Sequence, residues 1–224
     1  MNIKAAIFDM DGTLIDSLSY WESFWRAFGL KYFGEEHFDY DKEVDLRVRT
    51  MIFREVLPLI RSHYGLSVSV EELGRFASDS LADFYENEAS VKAGVREFLA
   101  HLKQEGIKLC LASATEMTYV KHALACHGLL EEFDLILSCA DIGKGKDVPD
   151  IYLKALEQLG VTAKEACVFE DSFVALETAR GIGCQTVGIF DPNNYAQDRL
   201  EAASDIYLAK GQGFETLIPL IARG

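Results

Sequence analysis

After residue 90, helix-like and strand-like segments alternate regularly along the chain, and this alternation restricts the possible folds more than any other feature. The amphipathic stretches lie at 95–104, 117–127, 151–159 and 173–180. Each leads into a short apolar run, at 107–112, 135–139, 167–169 and 186–190. Glycines stand where helices would end, as left-handed caps do, at Gly106, Gly128, Gly160 and Gly183. The pattern predicts an α/β fold with a parallel, doubly wound sheet.

Residues 3–8 form another strand-like run, which leads directly into two aspartates, Asp9 and Asp11. Strand side chains alternate between faces, so Asp9 and Asp11 share a side. Two carboxylates this close repel each other, and the pair therefore needs a cation or a shared proton. Gly12 lets the chain turn and lets a ligand approach the backbone. Taken alone, this short segment fits a solvated turn equally well.

Polar residues stand at the ends of three predicted strands, namely Asp9, Ser113 and Asp171. In a parallel sheet these ends lie along one edge, where open α/β sheets bind ligands. We therefore expect the three side chains to converge at a single crevice. Each residue also has a structural interpretation, because Ser113 can form a turn and Asp171 can cap the helix predicted at 173–180.

Four short segments, in this order, resemble the signatures of the haloacid dehalogenase superfamily, and specifically its β-phosphoglucomutase-like phosphatase subgroup. They are 8–14 (FDMDGTL), 109–114 (LCLASA), 146–152 (KDVPDIY) and 168–172 (VFEDS). The resemblance covers almost the whole chain. It implies a Rossmann-like, doubly wound parallel-sheet core of residues 1–15 and 91–224, with a helical cap domain of residues 16–90 inserted after the first signature.

The segment between residues 16 and 90 has long amphipathic stretches and little strand pattern. It predicts helices at 19–28, 42–63 and 70–87. Ser69, followed three residues later by Glu72, matches a capping box at the start of the third helix. Aromatic residues are dense around the first helix, and at helical spacing they are more typical of a core than of a ligand site. If this segment sets substrate specificity, the candidate residues are Tyr20, Glu22, Arg47 and Arg49.

The resemblance implies a chemical role for each acidic signature residue. Asp9 is then the nucleophile that forms an aspartyl-phosphate, and Asp11 is the general acid and base. Asp9, the main-chain carbonyl of Asp11 and Asp171 are the implied ligands of Mg²⁺, a cation that prefers oxygen ligands. Glu170 is either a further ligand or the neighbour of one.

The phosphate ligands implied by the resemblance are Ser113, Lys146 and the amides of Gly12 and Ala114. Asp147 follows the lysine, whereas the family commonly has proline there. Lys144 is the alternative lysine, although the Pro149-Asp150 pair fixes the register on Lys146. Both lysines could also be solvated loop charges.

These assignments predict a Mg²⁺-dependent phosphatase that acts on a small phosphate monoester, such as a sugar phosphate. The first alternative is a sugar phosphomutase of the β-phosphoglucomutase type. That branch carries a histidine shortly after the first signature where this chain has Trp21, and its absence favours the phosphatase. A catalytically idle binding or regulatory protein is a second alternative. The intact set of signature residues argues against it: Asp9, Asp11, Ser113, Lys146 and Asp171.

Composition limits the partners and the compartment. The net charge of −14 and the pI near 4.8 argue against binding to nucleic acid or to anionic membranes. The five cysteines are odd in number and scattered without a C-x-x-C pair, which indicates a reducing compartment. The N-terminus lacks the unbroken apolar core of a secretory signal, and no apolar run reaches the ~20 residues of a membrane span. We expect a cytoplasmic monomer.

Overall fold

The computed structural model of the chain describes residues 1–45, 53–194 and 196–223. The chain divides into two compact units, of which the first comprises residues 1–18 with 90–224 and the second residues 19–89. The first unit is an α/β structure and the second is helical. The α/β class predicted from the alternating pattern is confirmed.

The strands follow one another as β1 (Asn2–Ile3), β2 (Ala5–Phe8), β3 (Ile15–Asp16), β4 (Ser90–Val91), β5 (Lys108–Ser113), β6 (Leu135–Ser138), β7 (Ala166–Glu170), β8 (Gln185–Ile189), β9 (Ile206–Leu208) and β10 (Ala222–Arg223). The helices of the second unit are α1 (Tyr20–Phe33), α2 (Phe53–His63) and α3 (Val70–Asn87). Those of the first unit are α4 (Val95–Gln104), α5 (Met117–Cys126), α6 (Cys139–Ile142), α7 (Asp150–Leu159), α8 (Phe173–Gly181) and α9 (Gln197–Ala203).

A six-stranded parallel sheet with the spatial order β6-β5-β2-β7-β8-β9 forms the centre of the first unit. The chain runs outward from β2 through β5 to β6, and then continues on the other side of β2 with β7. The strand order therefore reverses at β2 and β7. In open α/β sheets this reversal opens a crevice at the carboxyl ends of the strands, and ligands bind there.

The sheet is buried on both faces, as the apolar runs predict. All four residues of β2 are completely buried, and the ring of Phe8 stacks on that of Phe169 in β7 at 4.3 Å between centroids. In the parallel register Phe8 lies opposite both Phe169 and Leu111 of β5. The strand ends that follow these residues are thus held at the same level.

In the first unit, the helices and strands begin and end close to the residues predicted from the sequence. Helix α4 has the predicted bounds, and the four glycines predicted as caps have left-handed φ angles between 61° and 94°. The strand expected at 135–139 ends one residue early, at Ser138, and the other boundaries predicted after residue 90 also lie within one residue of the observed ones. There the Ser138 hydroxyl accepts a hydrogen bond from the Ala140 amide at 3.2 Å and begins α6 at Cys139.

Strands β3 and β4, which the sequence did not predict, pair antiparallel where the chain leaves the first unit and returns to it. Ile15 lies opposite Val91 and Asp16 opposite Ser90. Immediately beyond β4, the Lys92 amide donates to the Leu14 carbonyl at 2.9 Å. Backbone hydrogen bonds therefore hold together the two segments that connect the units, residues 14–16 and 90–92.

In the second unit the aromatic side chains of α1 form a core, as predicted. Phe24, Trp25 and Phe28 are buried, and α1 continues beyond its predicted end to Phe33. The Ser69 hydroxyl caps α3 by accepting from the Glu72 amide at 3.1 Å. Residues 42–45 are helical, whereas Arg47, Arg49 and the middle of the predicted helix 42–63 lie outside the described residues.

All five cysteines are free thiols, and Cys126 is the exposed one. Within the described part of the chain, no helix is both long enough and apolar enough to cross a membrane.

Candidate active site

Three buried carboxylates meet where the strand order reverses. Asp9 follows β2 directly, Glu170 is the last residue of β7, and Asp171 comes next. One carboxylate oxygen from each residue lies within 4.8 Å of the other two, and each residue is at most 7% exposed. The predicted convergence of Asp9 and Asp171 follows from the parallel pairing of β2 with β7, which also hydrogen-bonds the Asp9 amide to the Phe169 carbonyl at 3.0 Å.

Lys146 is the cation that reaches this cluster. Its side chain is 9% exposed and donates hydrogen bonds to Asp9 Oδ1 and, at 2.5 Å, to Glu170 Oε1. Lys144 instead pairs with Asp150 at 2.6 Å on the surface, where its side chain is 56% exposed. Lys146, and not Lys144, is therefore the lysine of this segment that the structure brings to the cluster, although Asp147 follows it.

Burial and mutual repulsion change the ionisation of the cluster. Burial, reinforced by the neighbouring Glu170 and Asp11, raises the pKa of Asp9 from 3.8 to about 8 although Lys146 opposes the shift. Burial, with the neighbouring carboxylates of Glu170 and Asp9, raises the pKa of Asp171 well above its ordinary value. Burial lowers the pKa of Lys146, but the Asp9 and Glu170 carboxylates outweigh it and hold that pKa well above 10.5.

The donor set and its charge fit a divalent cation. Three carboxylates and one ammonium group leave two negative charges without compensation when all are ionised. Carboxylate oxygens are hard ligands, which Mg²⁺ and Ca²⁺ prefer. Asp9, Glu170 and Asp171 are thus the residues that could hold such an ion, and a bound cation would lower the raised pKa values of Asp9 and Asp171.

Asp11 lies at the edge of the cluster, and hydroxyl groups fix both of its carboxylate oxygens. The Ser17 hydroxyl donates to Oδ1 at 2.7 Å, and the Thr115 hydroxyl donates to Oδ2 at 2.8 Å. Neither partner was predicted. Thr115 follows a predicted strand end by two residues, which is a signal that could have found it, whereas Ser17 offers no comparable pattern.

The predicted phosphate ligands lie at the same edge of the sheet. Ser113 ends β5 and is buried, and its hydroxyl accepts from the Thr115 amide at 3.0 Å, which makes it part of a turn. The next residue, Ala114, is exposed. The Gly12 amide donates to the Ile15 carbonyl at 2.8 Å and is therefore already used within its own loop.

Gly12 is required by its conformation and by the space around it. Its φ angle is +78°, which favours glycine. A Cβ atom at this position would lie 2.6 Å from Asp171 Oδ2 and 2.9 Å from a methyl group of Leu18. The loop that follows β2 therefore lies so close to Asp171 that a side chain at position 12 would clash with it.

Asp171 is held by side chains from two other loops. Thr13 Oγ1 donates to Asp171 Oδ1 at 3.1 Å, and Asn194 Nδ2 donates to Oδ2 at 2.7 Å. The alternative that Asp171 caps the following helix is not what the structure shows, because Ser172 is the N-cap residue of α8 and makes no side-chain cap bond. Asn194 was missed, since it lies in a loop after β8 with no motif around it.

Comparison with known proteins agrees with this arrangement. The family model for the haloacid dehalogenase-like hydrolases matches residues 3–183. A phosphorylated carbohydrates phosphatase of Thermotoga maritima is 29% identical over 204 residues, which cover 90% of this chain and 92% of the relative. A provisionally named pyrophosphatase of Caldanaerobacter subterraneus is 30% identical over 189 residues, covering 84% and 82% of the two chains.

A solved structure supports the same grouping. A provisionally named beta-phosphoglucomutase from Thermotoga maritima superposes with a TM-score of 0.79 at 28% identity, covering 97% of this chain and 98% of its own.

The shifted pKa of Asp9 predicts how the stability of the metal-free protein depends on pH. The pKa is higher in the folded state than its ordinary value, so folding favours the protonated carboxyl group. This contribution is complete below about pH 4 and is lost as the pH rises towards about 8. We expect the melting temperature of the chelated protein to fall over this range.

Asp9→Asn is the control, because it removes the titrating group and keeps a hydrogen-bond acceptor for Lys146. Its melting temperature should depend less on pH than that of the parent. Equal slopes in parent and variant would contradict a raised pKa at Asp9.

Proposed function

The chain belongs to the haloacid dehalogenase-like hydrolase family, and on this basis we propose that it is a Mg²⁺-dependent phosphatase that hydrolyses a small phosphate monoester through an aspartyl-phosphate on Asp9. The observation that carries the proposal is the buried cluster of three carboxylates, Asp9, Glu170 and Asp171, with Lys146 paired to two of them. Carboxylates that need a cation, beside a buried ammonium group, suit the transfer of an anionic phosphoryl group.

Asp9 acts as the nucleophile in this proposal. One of its carboxylate oxygens attacks phosphorus while the bond from phosphorus to the leaving oxygen breaks. Asp11 donates a proton to that leaving oxygen and later accepts one from the water that hydrolyses the aspartyl-phosphate. The hydroxyls of Ser17 and Thr115 support this role, because they fix the orientation of the Asp11 carboxyl group.

Positive charge compensates the phosphoryl group. Lys146 lies against Asp9 and can move one of its three donors to a phosphate oxygen while it keeps Glu170. The hydroxyl of Ser113 and the amides of Ala114 and Gly12 are the further proposed phosphate ligands. Ser113 and Gly12 would first have to exchange or share their present hydrogen bonds.

Mg²⁺ would be held by Asp9, Asp171 and the main-chain carbonyl of Asp11, with Glu170 as a further ligand or beside one. When bound, it supplies Lewis-acid compensation of the charge between Asp9 and the incoming phosphate. Glu170 already accepts from Lys146 and, at 3.1 Å, from the Ser172 amide. Each oxygen of Glu170 therefore keeps a lone pair for a metal, as does each oxygen of Asp171, whose carboxylate accepts from Thr13 and Asn194.

A phosphatase is favoured over a phosphomutase by the residue at position 21. Trp21 occupies the place where the mutase branch has its histidine, and its ring contacts those of Tyr20 at 5.1 Å and Phe24 at 5.6 Å. An indole cannot exchange a proton as an imidazole does. Named relatives include both phosphatases and a mutase, so the product of the reaction is the decisive measurement.

The inserted residues 16–90 are proposed to act as the cap domain that sets substrate specificity. Tyr20 is a poor candidate for contacting a substrate, since it is 5% exposed and its hydroxyl donates to the Ala77 carbonyl at 3.2 Å. Glu22 stays a candidate. The names of the relatives suggest two substrate classes to test, sugar phosphates and inorganic pyrophosphate.

The nucleophile is tested by Asp9→Asn, with release of inorganic phosphate from a panel of small phosphate monoesters as the assay. The parent should release phosphate, whereas the variant should lose activity by about 10⁴-fold or more because the attacking oxygen is gone. Asp11→Asn should slow both steps by about 10²-fold or more. Activity of Asp9→Asn close to that of the parent would refute the assignment, and an isomeric sugar phosphate as the only product would indicate the mutase.

The metal requirement is tested by exhaustive chelation followed by the return of single cations. Activity should disappear on chelation and return with Mg²⁺, because the cluster of Asp9, Glu170 and Asp171 repels an anionic substrate without a cation. Ca²⁺ should support activity poorly, since it is larger and accepts looser geometry. Full activity after chelation would be incompatible with this proposal.

The two nearby lysines provide a matched pair of variants. Lys146→Met should reduce kcat/KM by about 10²-fold or more, because a cation aimed at the transferring group is lost. Lys144→Met removes the same charge from the surface, where Lys144 pairs with Asp150, and should change kcat/KM by about twofold or less. Equal losses in the two variants would show that net charge, rather than the position of Lys146, matters.

A further inference from the structure

We propose that Asn194, which lies outside the four signature segments, is a positioning residue that orients the Asp171 carboxylate for metal binding. A buried ion pair between Lys92 and Asp191 anchors the loop that carries Asn194. The inference rests on the proposed role of Asp171 as a metal ligand. The sequence patterns did not single out Asn194, Lys92 or Asp191.

Asn194 fixes Asp171 by bonding to its main chain and its side chain at the same time. The amide nitrogen Nδ2 carries two hydrogens, and it donates to the Asp171 carbonyl at 2.6 Å and to Asp171 Oδ2 at 2.7 Å. The carboxylate is thereby tied to its own backbone and cannot rotate freely. Thr13 donates to the other oxygen, Oδ1, at 3.1 Å. Each oxygen keeps a lone pair with which it can bind a cation.

The loop that carries Asn194 is organised by Asp191, which is completely buried. Asp191 Oδ1 accepts from the Asn193 amide at 2.8 Å, which closes a tight turn. The Asp191 carbonyl accepts from the Asn194 amide at 3.2 Å and from Gln197 Nε2 at 2.8 Å. Hydrogen bonds from the amides of Asn193 and Asn194 to Asp191 therefore fix the backbone at Asn194.

The charge of Asp191 is compensated by Lys92. Lys92 Nζ donates to Asp191 Oδ2 at 2.8 Å and to the Phe190 carbonyl at 3.1 Å, and its side chain is only 15% exposed. Loss of either partner would leave an uncompensated charge in the interior, which is strongly unfavourable. Lys92 directly follows β4, where the chain returns to the first unit. A residue of this connecting segment therefore determines where the Asn194 loop lies.

This geometry predicts an effect on metal affinity. Hydrogen bonds that orient a metal ligand typically change affinity by about 10- to 100-fold when they are removed. Without Asn194, the Asp171 carboxylate would have to be ordered by the ion itself, and binding would become weaker. The ligand atoms would still be present, so a high metal concentration should compensate for the loss.

The experiment is a calorimetric titration of Mg²⁺ alone into the metal-free protein. Asn194→Ala should raise the Kd by about tenfold or more. Asn193→Ala is the matched control, because its side chain makes none of these bonds, and its Kd should stay within about twofold of the parent. Asn194→Leu keeps the size of the side chain without its donors and should weaken binding as Asn194→Ala does, which excludes a cavity as the cause.

Two further measurements separate positioning from a general loss of structure. The metal-free variants should still unfold cooperatively, as the parent does, although the lost hydrogen bonds lower their melting temperature. At saturating Mg²⁺ the kcat of Asn194→Ala should recover towards the parental value, whereas that of Asp171→Asn should not.

The possible outcomes separate this proposal from the proposed function. If Asp171→Asn loses Mg²⁺ binding while both Asn194 variants bind as the parent does, the positioning role is overturned and the metal site stands. If the parent does not bind Mg²⁺, or Asp171→Asn binds it equally well, the proposed metal site fails and the positioning role fails with it. A weakened Kd in both Asn194 variants, but not in Asn193→Ala, supports the proposal.

Discussion

The repulsion among three buried carboxylates is the constraint around which the α/β unit is organised. Asp9, Glu170 and Asp171 lie within 4.8 Å of one another in a region from which water is largely excluded. Such an arrangement is strongly unfavourable unless protons, a lysine or a metal compensate it. Lys146 provides part of this compensation, and the remaining negative charge makes the same place attractive to a cation. The excess negative charge that destabilises the metal-free protein therefore also suits the site to phosphoryl chemistry.

The rest of the unit keeps these charges in place. Apolar packing of Phe8 against Phe169 fixes the two central strands in register, so that Asp9 and Glu170 emerge together. Hydroxyl and amide donors then orient the carboxylates one by one: Ser17 and Thr115 hold Asp11, and Thr13 and Asn194 hold Asp171. The hydrophobic core sets where the strands end, and short polar contacts from the loops set the directions of the functional groups.

The fold and the acidic centre could be predicted because their signals are local in sequence. Alternating apolar and amphipathic runs show a doubly wound sheet, and residues that directly follow a strand must lie at its edge. The supporting residues could not be found in this way. Thr115 and Asn194 act across long distances in sequence, and a single polar residue in a loop resembles any solvated one. Strands β3 and β4 have only two residues each, too few to show a period.

The pairing of β3 with β4 has an evolutionary consequence. Because Ile15 lies opposite Val91 in an antiparallel pair, residues 19–89 are inserted as the loop of a β-hairpin. The entropy needed to close a loop grows only slowly with its length, so the hairpin accommodates insertions of very different sizes. Natural variation can therefore replace or remodel residues 19–89 without disturbing the register of the central sheet. One chemical centre can thereby be combined with many different inserted segments over evolutionary time.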